Sequence, residues 1–438
     1  MDINEIHIGY LKFIDKIVLN ELPEINLKEA LFNETRYVIT RSKKIALYYA
    51  FQSILMIRSN FRISLIDSKD INQNSADLLF FVENYNRVDH DSYWKEIRNL
   101  FQNRSELLVE HLDRKNKIAH INIMGALSNL YRFIHIFKQL YPFRNVWHRL
   151  YIAAQCLEQF NIIKYVKDID IKPKILVTFF DSGFYENVLV QYFKKIGCIT
   201  ITNQHSQPIF YSKNKNLVIQ SQILNFKSNY YIAKGLFTVE QFIKAGYHKE
   251  NFLICGDILY NNKVCVNTQR NYFGVFLDAS EHEKAKSANI AMIRTANKIS
   301  HDLNYKFYVK VHPMDKIEEY IMLIDKEYGE VFDLKSSSIQ VISKIDFGLL
   351  HMSSIYLDLI KNRVRPFRYN SGIEFPLVTD EGEKYSNDQE LINKIFNWLK
   401  KGYSEREEYF SSKVNYYIAQ CDAKKEIFSS IMKLLKNK

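Results

Sequence analysis

In the last two thirds of the chain, short apolar runs alternate with stretches of helical pattern, and this alternation constrains the fold most strongly. Ile175 to Phe180 is apolar, a helical pattern follows from about Tyr185 to Lys195, and Cys198 to Thr202 is apolar again. Such a β-α-β unit is right-handed and has parallel strands. Similar units follow over 229–255 and 272–368. The sequence therefore predicts an α/β protein with two parallel sheets and helices on both faces.

Length and composition agree with two domains. The 438 residues exceed the usual size of one domain, and 13 Gly and 7 Pro are few for a loop-rich all-β fold. The patterns also predict helix over most of 1–60 and 91–168. We predict an N-terminal Rossmann-like domain with a helical first part over 1–260. A second Rossmann-like domain should span 261–405, and a C-terminal helix should span 406–438.

Charge and cysteine usage narrow the class of protein. The net charge of +11 is a mild bias that suits anionic substrates or an anionic membrane surface, and it is too weak to indicate nucleic-acid binding. Five widely spaced cysteines lack metal-ligand spacing and fit reduced thiols. The N-terminus has no signal-peptide pattern, and no run of about 18 apolar residues occurs. We therefore expect a cytoplasmic protein.

A first candidate site follows the strand predicted at 307–311. Pro313 has no N–H to donate to a sheet, so the strand should end near His312 and place that imidazole at its carboxyl end. Ligands of open α/β sheets bind outside those ends. Lys310 adds a positive charge nearby, although strand alternation can turn it away. The alternative is that His312 only closes the strand.

A second strand end, about forty residues later, has the same design. The apolar strand over 347–350 leads to Ser353 and Ser354, which stand where the next helix should begin, a place that suits an anion. With His312, these serines would form a phosphate site. The two residues between the strand and the serines are expected to pack in the core, namely His351 and Met352.

Two strand ends in the first half also carry polar side chains. Asp181 follows the strand at 175–180, and His205 follows the strand at 198–202. Because these strands belong to one β-α-β unit, the two side chains should lie close together. Asp181 has an alternative interpretation as the N-cap of the next helix. His205 has an alternative interpretation as a polar residue of a turn.

Basic and aromatic residues are interleaved over 130–149. One interpretation is a membrane-surface or lipid-linked acceptor patch. The other is an ordinary core helix with Lys and Arg on its solvated face, which is what most amphipathic helices are.

The chain resembles a known group in three motifs that occur in the expected order: Asp181-Ser182-Gly183, His312-Pro313 and Ser353-Ser354. They look like the motifs of the GT-B glycosyltransferases of bacterial capsule and teichoic acid synthesis, a group that includes polysialyltransferases and CDP-glycerol glycerophosphotransferases. The match covers about 173–370. Ser182 replaces the second acidic residue of the first motif, and Ser206 stands after His205 where many relatives have Gly.

The resemblance implies a set of roles. His312 would contact and protonate the leaving phosphate, Ser353 and Ser354 would bind it, and Lys310 and Pro313 would complete the donor site. Asp358, four residues after Ser354, would lie on the same helix face and bind ribose. The general base for the acceptor hydroxyl would be chosen, in order, from the following residues: His205, Asp181 and Glu186.

The resemblance also implies a function. The chain would be a GT-B glycosyltransferase with its donor in a cleft between the two domains. It would move a sugar from a nucleotide donor to a polysaccharide or lipid-linked glycan acceptor, on the inner face of the membrane or in the cytoplasm. It would need no metal and no cofactor, because the Asp-x-Asp at 168–170 precedes a strand rather than following one. Three alternatives stay open: polyol-phosphate transfer, an inactive scaffold for another transferase, and a nucleotide-sugar epimerase.

Overall fold

The computed structural model describes residues 25–26, 31, 43–55, 62–65, 75–82, 88–102, 109–115, 123–141, 145–204, 207–210, 226–260, 271–279, 283–312, 315–332, 338–373, 375, 377 and 380–438. The chain divides into two compact units, one formed by 1–259 with 421–438 and the other by 260–420. The sequence placed a boundary at 405 and one helix after it. The structure has two helices there, and the second belongs to the first unit.

The first unit has, within its described residues, a seven-stranded sheet in the order β1-β3-β2-β4-β5-β6-β7. The edge strand β1 pairs with β3 in antiparallel orientation, and all other neighbouring strands of this sheet are parallel. The strands are β1 (Arg62–Leu65), β2 (Ser75–Val82), β3 (Val109–Lys115), β4 (Lys172–Thr178), β5 (Ile199–Asn203), β6 (Tyr230–Ala233) and β7 (Phe252–Ile254).

Helices cover both faces of this sheet. They are α1 (Lys43–Leu55), α2 (Val88–Asn99), α3 (Ile123–Gln139), α4 (Val146–Ile169), α5 (Phe184–Lys195), α6 (Leu236–Lys244) and, near the C-terminus, α13 (Ala423–Lys436). Successive strand residues point to opposite faces. Leu79 and Phe81 therefore join the core formed with α4 and α5, and Leu78 and Phe80 join the core formed with α2 and α13.

The C-terminal helix belongs to the first unit because its apolar residues recur every four positions. Ala423, Ile427 and Ile431 lie on one face of α13 and are buried in the core that contains Ile175 and Val177 of β4. The sequence pattern identified the helix, but which sheet covers its apolar face was decided only by tertiary packing.

The second unit has, among its described residues, a six-stranded sheet in the order β10-β9-β8-β11-β12-β13, and every pair is parallel. Its strands are β8 (Tyr272–Phe276), β9 (Lys306–Lys310), β10 (Gly329–Val331), β11 (Phe347–Leu350), β12 (Arg365–Tyr369) and β13 (Lys384–Tyr385). Its helices are α7 (Glu283–Leu303), α8 (Glu318–Ile321), α9 (Ser338–Ile342), α10 (Ile355–Lys361), α11 (Asp388–Leu399) and α12 (Tyr403–Tyr417).

Most of the predicted strands and helices are present, but the region 91–168, predicted to be mostly helical with a break at Pro142, also contains a strand. The strand β3 lies inside that range and pairs with β1 and β2. Its residues read Val-Glu-His-Leu-Asp-Arg-Lys, which is too polar for an apolar-run criterion to detect. Most of the predicted helix at 1–60 lies outside the described residues, apart from α1. No helix in the described part of the chain is both long and apolar enough to cross a membrane.

Candidate functional site

Four neighbouring strand ends of the second sheet each carry a polar residue. The strands β9, β8, β11 and β12 are consecutive and parallel, so the residues that follow them lie along one edge of the sheet. The residues, in that order, are His312, Asp278, His351 and Ser371. The sequence identified the first of these strand ends and pointed to the third through its serines.

His312 lies where the sequence places it, two residues after the end of β9, and its side chain is half-buried. Its backbone carbonyl accepts a hydrogen bond of 2.9 Å from the N–H of Asp315, which closes a turn after the strand. Lys310 is buried, with 7% of its surface exposed. Pro313 lies outside the described residues. Their assigned roles stay predictions.

The two serines stand at the start of α10. Ser354 precedes the first helical residue, and its hydroxyl makes no capping hydrogen bond. Ser353 Oγ accepts a hydrogen bond of 3.3 Å from the N–H of Ile355. Asp358 lies within α10, and its carboxylate oxygen is 3.8 Å from Lys361 Nζ. Because Ser353 acts as an acceptor here, its own hydroxyl proton is left to donate to a ligand.

His351 is buried as predicted, but its imidazole also has two polar partners. Nδ1 lies 2.8 Å from Asp278 Oδ2, and Nε2 lies 2.7 Å from Ser371 Oγ. Asp278 Oδ2 also accepts a hydrogen bond of 2.9 Å from the N–H of Met352. The hydrogen-bonded chain Asp278–His351–Ser371 therefore links the ends of β8, β11 and β12. A histidine at a strand end was the available sequence signal, but a single sequence does not show which partners it meets.

The loops that carry this chain are held by buried groups. Arg368, in β12, donates from Nε to the carbonyl of His351 and from Nη2 to that of Ile373, so it joins the loops after β11 and β12. Asn289, in α7, is fully buried and makes hydrogen bonds of 2.9–3.0 Å with both the backbone N–H and the carbonyl of Asp278. These contacts fix the backbone at both ends of the chain of hydrogen bonds.

The corresponding edge of the first sheet contains Asp181, which is completely buried. Its Oδ2 accepts hydrogen bonds from the N–H groups of Lys227 and Ser228, at 2.8 and 2.6 Å. Burial raises the pKa of Asp181, and hydrogen bonds from Ser228 and Lys227 partly oppose that rise. The N-cap of α5 is Gly183, so the alternative that Asp181 caps this helix is wrong. The carboxylate instead holds the backbone of Lys227 and Ser228 in place, just before β6.

The other candidate bases of the first unit are Glu186 and His205. Glu186 is fully buried, and its carboxylate accepts a hydrogen bond from the N–H of Phe180. His205 and Ser206 lie outside the described residues. The residue before them, Gln204, is buried and accepts from the N–H of Lys234 at 2.7 Å. The choice of a general base therefore stays a prediction.

The sequence missed one ion pair at this edge. Lys234, directly after β6, places its Nζ 3.0 Å from Asp257 Oδ2 after β7, and both side chains are largely buried. A lysine and an aspartate about twenty residues apart carry no sequence signal for such a pair. Among the described residues, no three His, Cys, Asp or Glu side chains are grouped as metal ligands.

Comparisons with known proteins support the fold. No protein-family model matches the chain, and neither does any curated protein. The UDP-GlcNAc 2-epimerase of Methanocaldococcus jannaschii aligns with a TM-score of 0.52 and 13% identity, over 82% of this chain and 99% of its own. The UDP-GlcNAc 2-epimerase of Neisseria meningitidis bound to UDP-GlcNAc aligns with a TM-score of 0.50 and 11% identity, over 81% and 99%. The S. aureus MnaA–UDP co-structure aligns with a TM-score of 0.50 and 10% identity, over 82% and 97%.

Identities this low show the fold alone. The predicted fold class is confirmed: the chain is an α/β protein of the GT-B type, with two Rossmann-like units.

Proposed function

We propose that this chain is a glycosyltransferase that moves a sugar from a nucleotide-activated donor to a surface polysaccharide or lipid-linked glycan. The observation that carries the proposal is that His312 follows β9 and that Ser353 and Ser354 follow β11, the next strand but one, at the edge where α/β sheets of this type bind ligands. Transfer needs a positioned donor and groups that take up charge on the leaving phosphate, and an imidazole and two hydroxyls are groups of this kind.

In the proposed site, the second unit holds the donor. His312 contacts the leaving phosphate and gives it a proton, because it follows β9 and remains partly accessible to solvent. Ser353 and Ser354 donate hydroxyl hydrogen bonds to the phosphate oxygens. Lys310 and Pro313 keep the donor-binding roles that the resemblance implies. Asp358 binds the ribose through its half-exposed carboxylate.

The general base of the proposal is His205, because the contacts of Asp181 favour a role in holding the backbone in place. Both N–H groups that bind Asp181 Oδ2 belong to the backbone, and the side chain has no exposed surface. A base must reach the acceptor hydroxyl within hydrogen-bond distance. An imidazole, with its ordinary pKa of about 6.5, fits this task near neutral pH.

A panel of nucleotides tests the proposal by thermal shift. A nucleotide present at one hundred times its Kd adds about 2.7 kcal/mol, which raises the melting temperature of a unit of this size by about 5–11 °C. We expect CMP or CDP, or else UDP, to give such a shift, and the His312→Ala variant to lose it. The control is His301→Ala, because His301 is exposed near the end of α7.

Product detection separates the alternatives. Sugar appearing in an acceptor polysaccharide supports glycosyl transfer, and glycerol phosphate appearing there supports the polyol-phosphate alternative. A changed donor sugar without any acceptor identifies an epimerase. A protein that no nucleotide stabilises fits the scaffold, and this outcome rejects the proposed function.

We also propose that the first unit contacts an anionic membrane surface through α1 and α3, which pack against each other. The inner face of α3 buries Phe133, Ile136 and Leu140. Its outer face exposes a second apolar row at helical spacing, which consists of Leu127, Leu130, Tyr131 and Ile134. The neighbouring helix α1 exposes three more large apolar side chains, namely Leu47, Tyr48 and Phe51.

Exposed lysines flank these apolar residues on both helices, which matches a surface of anionic lipids; they are Lys43, Lys44 and Lys138. Sedimentation with vesicles that contain anionic lipid tests the contact. The double variant Leu130→Ser, Tyr131→Ser should bind about tenfold more weakly, which is about 1.4 kcal/mol. The control is Tyr403→Ser, because Tyr403 is exposed on the second unit. Equal binding by both variants, or no binding by the unaltered protein, rejects the contact.

A further inference from the structure

The hydrogen-bonded chain Asp278–His351–Ser371 has the geometry of a serine nucleophile with its base and its orienting acid. Such sites are recognised when a serine and a base lie within hydrogen-bond reach and a third group orients the base. Here the serine-to-imidazole distance is 2.7 Å and the imidazole-to-carboxylate distance is 2.8 Å. Three separate strand ends supply the three residues, so no sequence motif marks them.

The surroundings fix the tautomer of His351. A carboxylate oxygen can only accept, so Nδ1 carries the hydrogen that is donated to Asp278. The lone pair of Nε2 then accepts the hydroxyl hydrogen of Ser371. Because His351 has no exposed surface and Asp278 is also held by the N–H of Met352, neither partner has room to turn away. The oxygen of Ser371 is therefore polarised by a base of fixed orientation.

The serine itself is open to solvent, whereas its base is not. Ser371 is exposed and precedes Gly372, which follows β12 and has a φ of +80°. A Cβ placed on Gly372 would meet nothing within 4 Å, so there is open space next to the serine. A carbonyl group can therefore approach the serine from solvent while the base stays within hydrogen-bond reach of the serine oxygen.

We propose that these three residues form a nucleophilic-serine site that cleaves carboxylic esters. Ser371 Oγ bonds to the acyl carbon while its proton passes to His351 Nε2. The ester C–O bond then breaks, and the alcohol leaves with that proton. Water adds to the acyl-serine with His351 as base, which releases the carboxylic acid and restores the serine. Asp278 stabilises the imidazolium ion that exists between the two proton transfers.

A fluorophosphonate probe tests the site on the intact chain, because such probes bond to serines that a base activates. We expect a mass increase of one probe in the folded protein, located at Ser371 by peptide mapping. Protein that is unfolded in urea before the probe is added should not be labelled. The Ser371→Ala variant should not be labelled. This exposed substitution leaves the core untouched, and Ser386→Ala is the matched control, because Ser386 is an exposed serine of the same unit.

The Asp278→Asn variant separates an activated serine from a merely structural hydrogen-bond chain. Nδ1 and the N–H of Met352 both bind Oδ2, so an amide oxygen at that position can keep both hydrogen bonds, but the variant lacks the negative charge that stabilises the imidazolium ion. Labelling should slow about a hundredfold or more. The proposal is overturned by a folded protein that is not labelled, by labelling at another serine, or by unchanged labelling of the Asp278→Asn variant. Each of these results leaves the proposal on nucleotide donors intact, because that proposal is tested without the probe.

Discussion

Replacing Asp181 by alanine should weaken the first unit, and the loss can be derived from two hydrogen bonds. The carboxylate accepts the N–H groups of Lys227 and Ser228, at 2.8 and 2.6 Å, and the side chain is completely buried. Each buried donor left without a partner costs about 1–3 kcal/mol. The N–H of Lys227 is only partly buried, so we expect a total loss of about 2–4 kcal/mol in the free energy of unfolding.

The isosteric variant Asp181→Asn separates structure from chemistry. Its amide oxygen still accepts both N–H groups, so it should lose about 1 kcal/mol or less. Urea unfolding followed by far-UV circular dichroism gives both values as shifts in midpoint. An alanine variant with an unchanged midpoint and abolished transfer would refute this reasoning and identify Asp181 as the general base. Equal midpoints for alanine and asparagine would also refute it.

The pH dependence of the stability of the unaltered protein and of the Asp181→Asn variant gives an independent check on the burial of Asp181. Burial raises the pKa of Asp181 above its unfolded value of about 3.9, so the folded state holds the proton more tightly. The stability that this residue contributes is present in full below pH about 4 and falls as the pH rises towards the folded pKa. Asparagine does not titrate. The stability of the Asp181→Asn variant relative to the unaltered protein should therefore increase as the pH rises from about 4.

Three further predictions concern the folded structure. Glu383→Ala should lower the stability of the second unit by about 3–5 kcal/mol, because it removes a buried carboxylate that accepts from the Tyr356 and Tyr409 hydroxyls and lies 3.8 Å from the buried Arg365, whose other carboxylate neighbour is Asp380 at 3.5 Å. Urea unfolding measures the loss. Ile431→Ala should cost about 2–5 kcal/mol in the first unit, because Ile431 is fully buried in the core shared with β4; limited proteolysis of the first unit should quicken accordingly. Three buried thiols should resist alkylation at pH 8 until the protein unfolds, because burial raises the pKa of each to about 12; they are Cys156, Cys198 and Cys255.

Each of these predictions has its own control. Glu383→Gln keeps an acceptor for the Tyr356 hydroxyl, 2.8 Å away, and should lose less than the alanine variant. Ser429→Ala, on the exposed side of α13, should leave proteolysis unchanged. Peptide mapping after alkylation identifies the thiols that react. Rapid modification of any of the three buried cysteines in the native protein would contradict the packing described above.

The alternation of apolar runs and helices was enough to predict the fold, because buried parallel strands read as continuous apolar segments. The strand β11 was predicted with its observed limits, Phe347 to Leu350. The strand β3 was missed because its sequence is polar and its pairing with β1 and β2 depends on residues more than twenty positions away. Periodicity reports local preference and the burial of a segment, but it does not report which segments pair.

The candidate site was likewise predicted in part from the sequence and decided in part only by the tertiary structure. The sequence determined that His312 stands at a strand end and that Ser353 and Ser354 stand at a helix start, because a proline and a change of period mark such positions locally. Only the tertiary structure decided that His351 meets Asp278 and Ser371, which lie 73 and 20 residues away along the chain. Parallel strand order brings these residues together, and strand order arises from packing between distant segments rather than from any local pattern.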